Sequence, residues 1–405
     1  MSRKNLLSIL LALSVLALVL VACQPAPPAA PDTGEGEEPA AAEEAEEPAA
    51  EQPDEIVIGV YEPMTGAMAA GGELTMQGVN LAHEQVSEVL GGPVRLVLVD
   101  NRSDKAEAAT AMQRLIEQEN AIAVIGSYGS SLAMAGGEVS EAAGIPVMGC
   151  SPTNPLVTQG KDYYFRACFI DPFQGRVMAK YAVEDLGVER VAILQDVAQD
   201  YAVGLSAFFR EAFIELTGSA DGIVAFTSYQ TGDQDFTAQL AAIMEEEPDA
   251  IYAPGYFGDG GLIAKQAREL GFEGYIMGAD AWEAPELIEI GGSAAEGLVL
   301  SSHYHPEAEL SPMSMPFVED FEAKYGEAPS AFAALGYDAY MLVINGIERA
   351  GSFDPDAIRD AIAETSGYQA VTGNISMDAN GDAVKDAVIL TVEDGAFAYK
   401  TTVSP

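Results

Sequence analysis

Basic side chains are scarce in this 405-residue chain, which has 19 Lys and Arg residues against 63 Asp and Glu residues. Binding to nucleic-acid phosphates needs clustered Lys and Arg, so this balance excludes nucleic acid as a partner. The acidic excess fits either a saline habitat or a surface selected for solubility. No Lys, Arg or His lies between Arg114 and Lys161, so an anion bound by that stretch must be held by hydroxyl groups and backbone amides.

Cysteine is equally rare, with only Cys23, Cys150 and Cys168 in the chain. The second and third lie in apolar surroundings. In an oxidising compartment these two can form a disulfide, whereas two buried free thiols are an equally acceptable alternative.

The first 23 residues have the pattern of an export signal. Arg3 and Lys4 precede an apolar run over residues 6–20, which is too short to span a membrane as a helix. The sequence L-V-A-C that ends at Cys23 resembles the bacterial lipoprotein signal, which implies removal of residues 1–22 and lipidation of Cys23. An uncleaved anchor is the alternative. Both alternatives place the folded part outside the cytoplasmic membrane and tethered to it.

Residues 24–54 consist almost wholly of Pro, Ala, Glu, Gly and Asp. Such a segment has no basic residue and no large apolar one, so it cannot bury enough surface to offset its ordering entropy. We predict that residues 23–54 form a disordered, acidic Pro/Ala/Glu tether.

Strand and helix signals alternate from Ile56 onward, which predicts an α/β fold with parallel sheets flanked by helices. The pattern breaks at Asp171 and Pro172, and a second series of strands and helices follows. The helices predicted beyond Ser302 need a sheet to cover, and the first domain has the nearest open one. The chain is therefore expected to cross several times between two lobes, which is a hinge architecture.

Two polar loops in the first lobe are the strongest candidates for a site. One lies between a strand predicted at residues 121–125 and a helix that begins near Ser130, and the other follows a second strand and ends in Thr153 and Asn154. Both loops leave the carboxyl ends of parallel strands, where open sheets bind ligands. Hydroxyl groups at a helix start favour a small carboxylate there. The alternative is that Ser130 only caps its helix.

Motifs of the common enzyme classes are missing. The chain has no G-x-S-x-G elbow, no Walker A loop and no G-x-G-x-x-G after a strand, so we expect no catalysis and no cofactor. His303 and His305 alternate on a predicted strand without a third ligand, which favours packing or a hinge role over a metal site. Asp378 begins a calcium-loop pattern, but its twelfth position is Ile389, so Asn380 and Gly381 indicate a hairpin turn.

Eight stretches in a fixed order resemble the type I periplasmic-binding-protein family, in particular its leucine/isoleucine/valine-binding branch. The resemblance covers about residues 55–400. The stretches are IGVYEPMTGAMAAGG, VIGSYGSS, GCSPTNP, FRACFIDPFQG, the Gly255-Tyr256 loop, GADAW, AALGYDAY and TGNISMDANGD.

The resemblance implies two doubly wound parallel-sheet lobes joined by a three-crossover hinge, which close on a free amino acid. The expected function is capture of that amino acid, a branched-chain one, for the membrane permease of an ABC importer, by a lipid-anchored monomer. The alternative is a sensor or importer subunit of the same fold that binds an amide, a urea-like compound or another small carboxylate. The expected lobes are residues 55–172 plus 303–372 (lobe 1) and residues 173–302 plus 373–405 (lobe 2).

The resemblance also assigns roles to individual residues. Carboxylate-binding hydroxyls come from one lobe, aromatic rings that close over the ligand come from the other, and an acidic side chain receives the ammonium group. A zwitterion needs both sides, because an unpaired buried charge is costly. The predicted ligand-binding residues are Ser130 and Thr153 for the carboxylate; Tyr128, Gly129, Ser151 and Pro152 in the same loops; Tyr201 and Tyr256 from the second lobe; and Asp280 for the ammonium, with Trp282 beside it.

Three positions depart from the family pattern. Gly71 stands where branched-chain members often carry an aromatic wall, Asp280 replaces the more usual Glu, and Trp282 adds a large ring close to that acid. A shorter acid and an added indole change the depth of the pocket. An aromatic or small polar amino acid is therefore an alternative ligand.

Overall fold

The computed structural model describes residues 55–405. The predicted signal peptide (1–22), the lipidation site Cys23 and the tether (23–54) lie outside these residues. In chain order the strands are β1 (Ile56–Glu62), β2 (Glu88–Val89), β3 (Gly92–Asp100), β4 (Ala123–Ile125), β5 (Val147–Gly149), β6 (Tyr164–Arg166), β7 (Val191–Asp196), β8 (Ile223–Tyr229), β9 (Ala250–Tyr252), β10 (Tyr275–Met277), β11 (Val299–Ser302), β12 (Tyr368–Ala370), β13 (Gly373–Met377), β14 (Ala383–Val384), β15 (Ala387–Glu393) and β16 (Ala396–Val403). The helices are α1 (Ala69–Gln85), α2 (Lys105–Glu117), α3 (Ser130–Ala143), α4 (Asp171–Lys180), α5 (Asp200–Thr217), α6 (Thr237–Glu245), α7 (Phe257–Glu269), α8 (Pro285–Gly291), α9 (Ser314–Tyr325), α10 (Ala331–Ala350) and α11 (Pro355–Ala363).

The first sheet has six strands in the order β2-β3-β1-β4-β5-β6, and all of its pairs are parallel except β2 with β3. The sequence of β1, IVIGVYE, is buried along its whole length, as expected for a strand covered by helices on both faces. The chain passes from β1 to β3 on one side and then returns to β4 on the other. The carboxyl ends of β1 and β4 therefore form a topological switch point.

The second sheet has seven strands in the order β16-β15-β11-β10-β9-β7-β8, with β15 and β16 antiparallel at one edge. Its parallel part repeats the plan of the first sheet, because β8 and β9 lie on opposite sides of β7. A second switch point lies at the carboxyl ends of β7 and β9. The predicted α/β fold with two parallel-sheet lobes is thus confirmed.

Three segments connect the lobes. Residues 167–170 lead from β6 to α4, residues 303–305 leave β11 toward helices that cover the first sheet, and residues 385–386 lead from β14 into β15. Helix α10 packs along α1 of the first lobe, where an added Cβ on Gly336 would lie 2.2 Å from the Thr75 carbonyl oxygen. This glycine lets the two helices approach closely.

Residues 373–384 were expected to belong to lobe 2, but in the structure they pack with lobe 1. Strands β13 and β14 pair with β12 in a separate three-stranded antiparallel sheet. Ile375 and Ala383 belong to the same buried cluster as Ile58 of the first sheet. The chain enters the seven-stranded sheet only at Ala387. The turn at residues 378–382 joins β13 to β14, as predicted for Asn380 and Gly381.

Both cysteines of the described chain are buried and free. Cys150 follows β5, and Cys168 lies in the first crossing between the lobes. Burial raises the pKa of both thiols well above the usual range. Of the two alternatives from the sequence, the structure therefore contains the free thiols and not the disulfide.

Candidate functional site

The loop after β4 brings Tyr128, Gly129 and Ser130 to the first switch point. Gly129 has a φ of 89° and precedes α3, whose first residue is Ser130. The Ser130 hydroxyl accepts a hydrogen bond from the backbone N–H of Asn154 at 3.1 Å. The two polar loops predicted from the sequence are therefore joined at the start of a 14-residue helix, where unpaired N–H groups favour an anion.

The buried guanidinium group of Arg166 stabilises the second loop, residues 151–154. Arg166 donates to the carbonyl oxygens of Pro152 at 2.7 Å and Asn154 at 2.9 Å, and it pairs with Asp382 at 2.6 Å. The Thr153 hydroxyl is buried and has no hydrogen-bond partner in the described chain. The same holds for the Ser151 hydroxyl, so this loop presents two unused hydroxyl groups.

Asp280, after β10 in the second lobe, is the predicted ammonium acceptor. Its Oδ1 accepts hydrogen bonds from Gln174 Nε2 and from the Tyr201 hydroxyl, both at 2.6 Å. Its Oδ2 lies 3.0 Å from His303 Nε2. Burial alone raises the pKa of this carboxyl, but the contacts with His303, Tyr201 and Gln174 outweigh burial and hold the pKa below its usual value. The Asp280 carboxylate is therefore stabilised by hydrogen bonds on both of its oxygens.

His303 supports this acid from the second crossing between the lobes. Its ring stacks on Phe169 of the first crossing with centroids 3.8 Å apart. Burial lowers the pKa of His303 despite the neighbouring Asp280, which favours a neutral imidazole that donates from Nε2. His303 was expected to have a packing or hinge role, and its pairing with Asp280 is a contact that the sequence does not indicate. No group of three or more His, Cys, Asp and Glu side chains within residues 55–405 is arranged to hold a metal ion.

Asp171 is a second buried acid in the crevice. From the sequence it was expected only to mark the end of the first series of strands and helices. It is the first residue of α4, and its backbone N–H donates to the Thr153 carbonyl oxygen at 3.0 Å. Within residues 55–405, neither of its carboxyl oxygens has a partner in hydrogen-bonding geometry, although the Thr153 hydroxyl lies nearby. Burial raises its pKa well above the usual value, the Thr153 hydroxyl lowers it, and the charge of Asp280 raises it further. A positive group between the two acids would satisfy Asp171.

Four aromatic rings connect the lobes across the crevice. Phe332 of α10 meets Tyr128 edge to face at 4.9 Å, Tyr128 lies 5.8 Å from Tyr256, and Tyr256 lies 5.6 Å from Tyr201. A Cβ on Gly71 would lie 2.4 Å from the Tyr128 ring. The aromatic wall that the sequence lacks at Gly71 is therefore replaced by the ring of Tyr128.

Trp282 occupies a different place. Its indole is fully buried and belongs to the hydrophobic cluster of the second lobe. Added Cβ atoms on Gly260 and Gly278 would lie 2.5 Å and 2.1 Å from this ring. The two glycines thus leave room for an indole that fills the core between α7 and β10.

Direct contacts between the lobes show that the cleft is closed. Asp200, at the start of α5, accepts hydrogen bonds from Lys105 Nζ at 2.8 Å and from the Ser131 hydroxyl at 2.9 Å. Glu283 of the second lobe accepts from the backbone N–H of Ala331, the first residue of α10, at 2.8 Å. The Tyr128 hydroxyl also donates to the Ala281 carbonyl oxygen at 3.4 Å. A ligand that touches both lobes stabilises such a form.

Comparison with known proteins places this arrangement in a family. The sequence profile of a family described as periplasmic binding protein matches residues 55–396. A crystal structure of the leucine-binding protein LivK from Thermotoga maritima is 46% identical, with a TM-score of 0.84 over 86% of this chain and 99% of that one. The branched-chain amino acid binding protein LivJ from Streptococcus pneumoniae, solved with isoleucine, is 34% identical, with a TM-score of 0.81 over 86% and 99% of the two chains.

A curated relative agrees with these structures. The leucine-, isoleucine-, valine-, threonine- and alanine-binding protein of Pseudomonas aeruginosa is 27% identical over 81% of this chain and 87% of its own length. No helix within residues 55–405 is long and apolar enough to cross a membrane. With a family profile that spans nearly the whole described chain, two parallel-sheet lobes and a closed cleft at their switch points, this chain belongs to the periplasmic binding protein family, in its branched-chain amino acid group.

Proposed function

We propose that this protein captures a free amino acid, of the branched-chain type, outside the cytoplasmic membrane and delivers it to the permease of an ABC importer. The observation that supports this most directly is the pair of unsatisfied groups in one buried crevice. The Thr153 hydroxyl and the Asp171 carboxyl, which is close to Asp280, both lack a partner in hydrogen-bonding geometry within the described chain, although this hydroxyl is near enough to lower the pKa of Asp171. Buried polar groups without partners are costly, so this crevice is complementary to a small zwitterion.

In this proposal the ligand carboxylate binds at the start of α3, against the hydroxyls of Ser130 and Thr153 and with Ser151 in the same wall. Gly129 and Pro152 shape the two loops beside it. The ligand ammonium lies between Asp171 and Asp280, with Tyr201 oriented by its bond to Asp280. Each lobe thereby neutralises one end of the ligand, and only the closed form satisfies both ends.

The ligand side chain packs among the bridging rings of Tyr128, Tyr256 and Phe332. Those rings provide apolar contact on both sides of the cleft. The leucine- and isoleucine-related names of the relatives support an aliphatic side chain there. An affinity in the micromolar range, about −8 kcal/mol, is well within what a ligand of roughly nine heavy atoms can achieve. In this proposal the Trp282 indole does not contact the ligand and packs in the hydrophobic core of the second lobe.

The test is calorimetric titration of the purified protein with free amino acids and with simple amides, repeated for Asp280→Asn. We expect micromolar binding of Leu, Ile or Val and a loss of more than about threefold, or ~0.7 kcal/mol, in the variant. A loss below threefold would exclude Asp280 as an ammonium contact. Binding of amides without binding of amino acids would instead support the sensor alternative.

The anchoring to the membrane is a separate part of the proposal. We infer that Cys23 is lipidated and that residues 23–54 act as a flexible tether between the membrane and a monomeric binding domain. The L-V-A-C sequence and the Pro/Ala/Glu composition support it. Mass spectrometry of the mature amino terminus checks it, because an unmodified Cys23 or a retained signal peptide would contradict it.

A further inference from the structure

A cavity of about 330 Å³ lies beside Tyr256, at the junction of the two lobes. Met68 lines it from the first lobe, and Thr231, Asp259 and Leu262 line it from the second. One part of the wall is therefore apolar, and another part carries a hydroxyl and a carboxyl group. A flexible chain with an apolar stem and a polar end matches this distribution.

Among the described residues that line this cavity, Asp259 is the only charged one. It is 8% exposed, and none of the ion pairs found within residues 55–405 includes it. Burial and the neighbouring charge of Asp196 raise its pKa to about 7, against the lowering effect of the Tyr229 hydroxyl and the Gly232 N–H. Asp233 raises the pKa further, and no Lys or Arg is among the described residues that line the cavity.

The carboxylate of Asp196 is already engaged. It accepts hydrogen bonds from the N–H groups of Ala198 at 2.9 Å and Thr231 at 3.0 Å, and from the Thr231 hydroxyl. Asp259 is approached by the Tyr229 hydroxyl and the Gly232 N–H, which lower its pKa, whereas Asp196 accepts three hydrogen bonds within the described chain. Of these two neighbouring acids, Asp259 is therefore the one that remains available to a ligand.

Tyr256 gives a second and independent indication of a ligand. Its side chain lines the same cavity and is 5% exposed, and its hydroxyl has no hydrogen-bond partner in the described chain. The ring of Tyr256 also belongs to the proposed amino acid site through Tyr128 and Tyr201. Tyr256 is therefore shared by this cavity and the proposed amino acid site.

We propose that the cavity beside Tyr256 is a second subsite of the cleft, which binds the terminal ammonium group of an alkylamine side chain with Asp259 as its counter-charge. The proposal rests on the proposed function, since the α-carboxylate and α-ammonium groups of the ligand stay at Ser130 and Asp280. The alkyl stem passes the aromatic rings, and the Tyr256 hydroxyl accepts a hydrogen bond from the terminal ammonium. The protein then accepts diamino acids of the lysine type as well as branched-chain amino acids.

Calorimetric titration with L-lysine, L-norleucine and L-leucine tests this subsite. Norleucine has the alkyl stem of lysine without the terminal amine. For the protein with native Asp259 we expect lysine to bind at least as tightly as norleucine. In Asp259→Asn we expect lysine affinity to fall about tenfold or more, while norleucine and leucine affinities stay within about twofold. Asp221→Asn is the matched control. Asp221 is exposed and lies just before β8, at the end of that strand away from Thr231, and its substitution also replaces one Asp by Asn.

Proton release is a second readout of the same contact. An ammonium group beside Asp259 favours the ionised carboxyl, so lysine binding at pH 7 releases about half a proton from a group with a pKa near 7. Titrations in phosphate and in Tris buffer measure this release through the difference in buffer ionisation heat. We expect the lysine-specific part of the release to disappear in Asp259→Asn and to be unchanged in Asp221→Asn.

The outcomes separate the two proposals. Leucine binding without lysine binding overturns the subsite and leaves the proposed function intact. Lysine binding that is equal in Asp259→Asn and the native protein also overturns the subsite. Absence of binding for all three amino acids overturns the subsite together with the proposed function. Selective loss of lysine affinity in Asp259→Asn, with leucine binding retained as the check on folding, supports the subsite.

Discussion

Asp171 and Asp280 are buried carboxyl groups in one crevice, but their surroundings differ. Asp280 receives hydrogen bonds on both oxygens, which lower its pKa, whereas within the described chain Asp171 has only the Thr153 hydroxyl nearby, outside hydrogen-bonding geometry, and has a raised pKa. The first acid is supported by the protein itself. The second depends on a partner from outside, which in the proposed function is the ligand ammonium.

Replacement of Asp171 by Asn therefore separates stability from binding. We expect the unliganded variant to unfold at higher urea, with a gain of about 1 kcal/mol, because a buried carboxyl without partners is removed. We expect amino acid affinity to fall by tenfold or more. Urea unfolding and calorimetry measure the two effects. Asp162→Asn, at an exposed position, is the control, and a variant of Asp171 with reduced stability and native affinity would contradict this role.

Glu283 gives a pH dependence with a defined sign. It is buried, and its burial raises the pKa to about 7 even though Ser302 and the Ala331 N–H donate to it. Between about pH 4.3 and pH 7, Glu283 therefore carries a proton in the folded protein that it has lost in the unfolded chain, where its pKa is near 4.3. The contribution of protonated Glu283 to folding stability is complete below about pH 4 and disappears as the pH rises through 7.

We expect Glu283→Gln to remove this dependence. Relative to the native protein, the free energy of unfolding of the variant should increase by about 2 to 3 kcal/mol between pH 5 and pH 8. Denaturant unfolding at several pH values measures the difference. Glu289→Gln changes an exposed acid of α8 and serves as the matched control. A constant difference between native protein and Glu283→Gln would show that the group titrates normally.

The structure brings together the two polar loops predicted from the sequence, whereas contacts made on folding were not predicted. Ser130 and Thr153 are predicted site residues because polar residues follow two apolar strands, which is a local pattern. The bond of His303 to Asp280 joins two segments that are separate in sequence, and no periodicity indicates it. Trp282 follows Asp280 by two residues, but only the space left by Gly260 shows that its ring lies in the core.

At the scale of elements, the sheets were predictable because buried parallel strands are continuous apolar runs. The strand predicted at residues 121–125 is present as β4 (Ala123–Ile125), and α3 begins at Ser130 as expected. The sheet that β13 joins was not predicted, because a five-residue strand carries no signal for its partner. Short elements such as β2, β14 and α8 were not predicted either, since two to seven residues are too few for a hydrophobic period to appear.

The helix starts at α3 and α5 meet across the cleft and hold the closed form. Asp200 of α5 contacts Ser131 of α3 and Lys105 of α2, and none of these three residues belongs to the proposed ligand contacts. The carboxylate also lies at a helix start, where the helix dipole favours it. Burial opposes ionisation of Asp200, but Lys105 and Ser131 lower its pKa below the usual value.

Ser131→Ala should therefore weaken binding without a change in the ligand contacts. We expect a three- to tenfold loss of leucine affinity, almost entirely through faster dissociation, because the closed form loses a bond that the open form lacks. Stopped-flow fluorescence of the chain's single Trp measures the rates. Thr110→Ala is the control, since its hydroxyl bonds only within α2. An effect on association alone would contradict a role in the closed form.

At the scale of the whole molecule, the charge is far from balanced. The chain has 63 acidic against 19 basic residues, and several of the ion pairs of the described part involve exposed side chains that contribute little stability. Repulsion among the remaining carboxylates acts over about 10 Å at 0.1 M salt and destabilises the compact state. The binding of a zwitterion adds no net charge to this surface, so capture of the proposed ligand does not increase the repulsion.

Salt should consequently stabilise this protein. We expect the midpoint of thermal unfolding at pH 8 to rise by several degrees between 0.02 M and 1 M NaCl, because screening shortens the range of repulsion to about 3 Å. Differential scanning calorimetry measures the change. The same titration at pH 4, where many exposed carboxylates have taken up protons, should show a much smaller rise. A midpoint that is independent of NaCl at pH 8 would mean that local ion pairs and not the overall acidic excess determine the electrostatic contribution to stability.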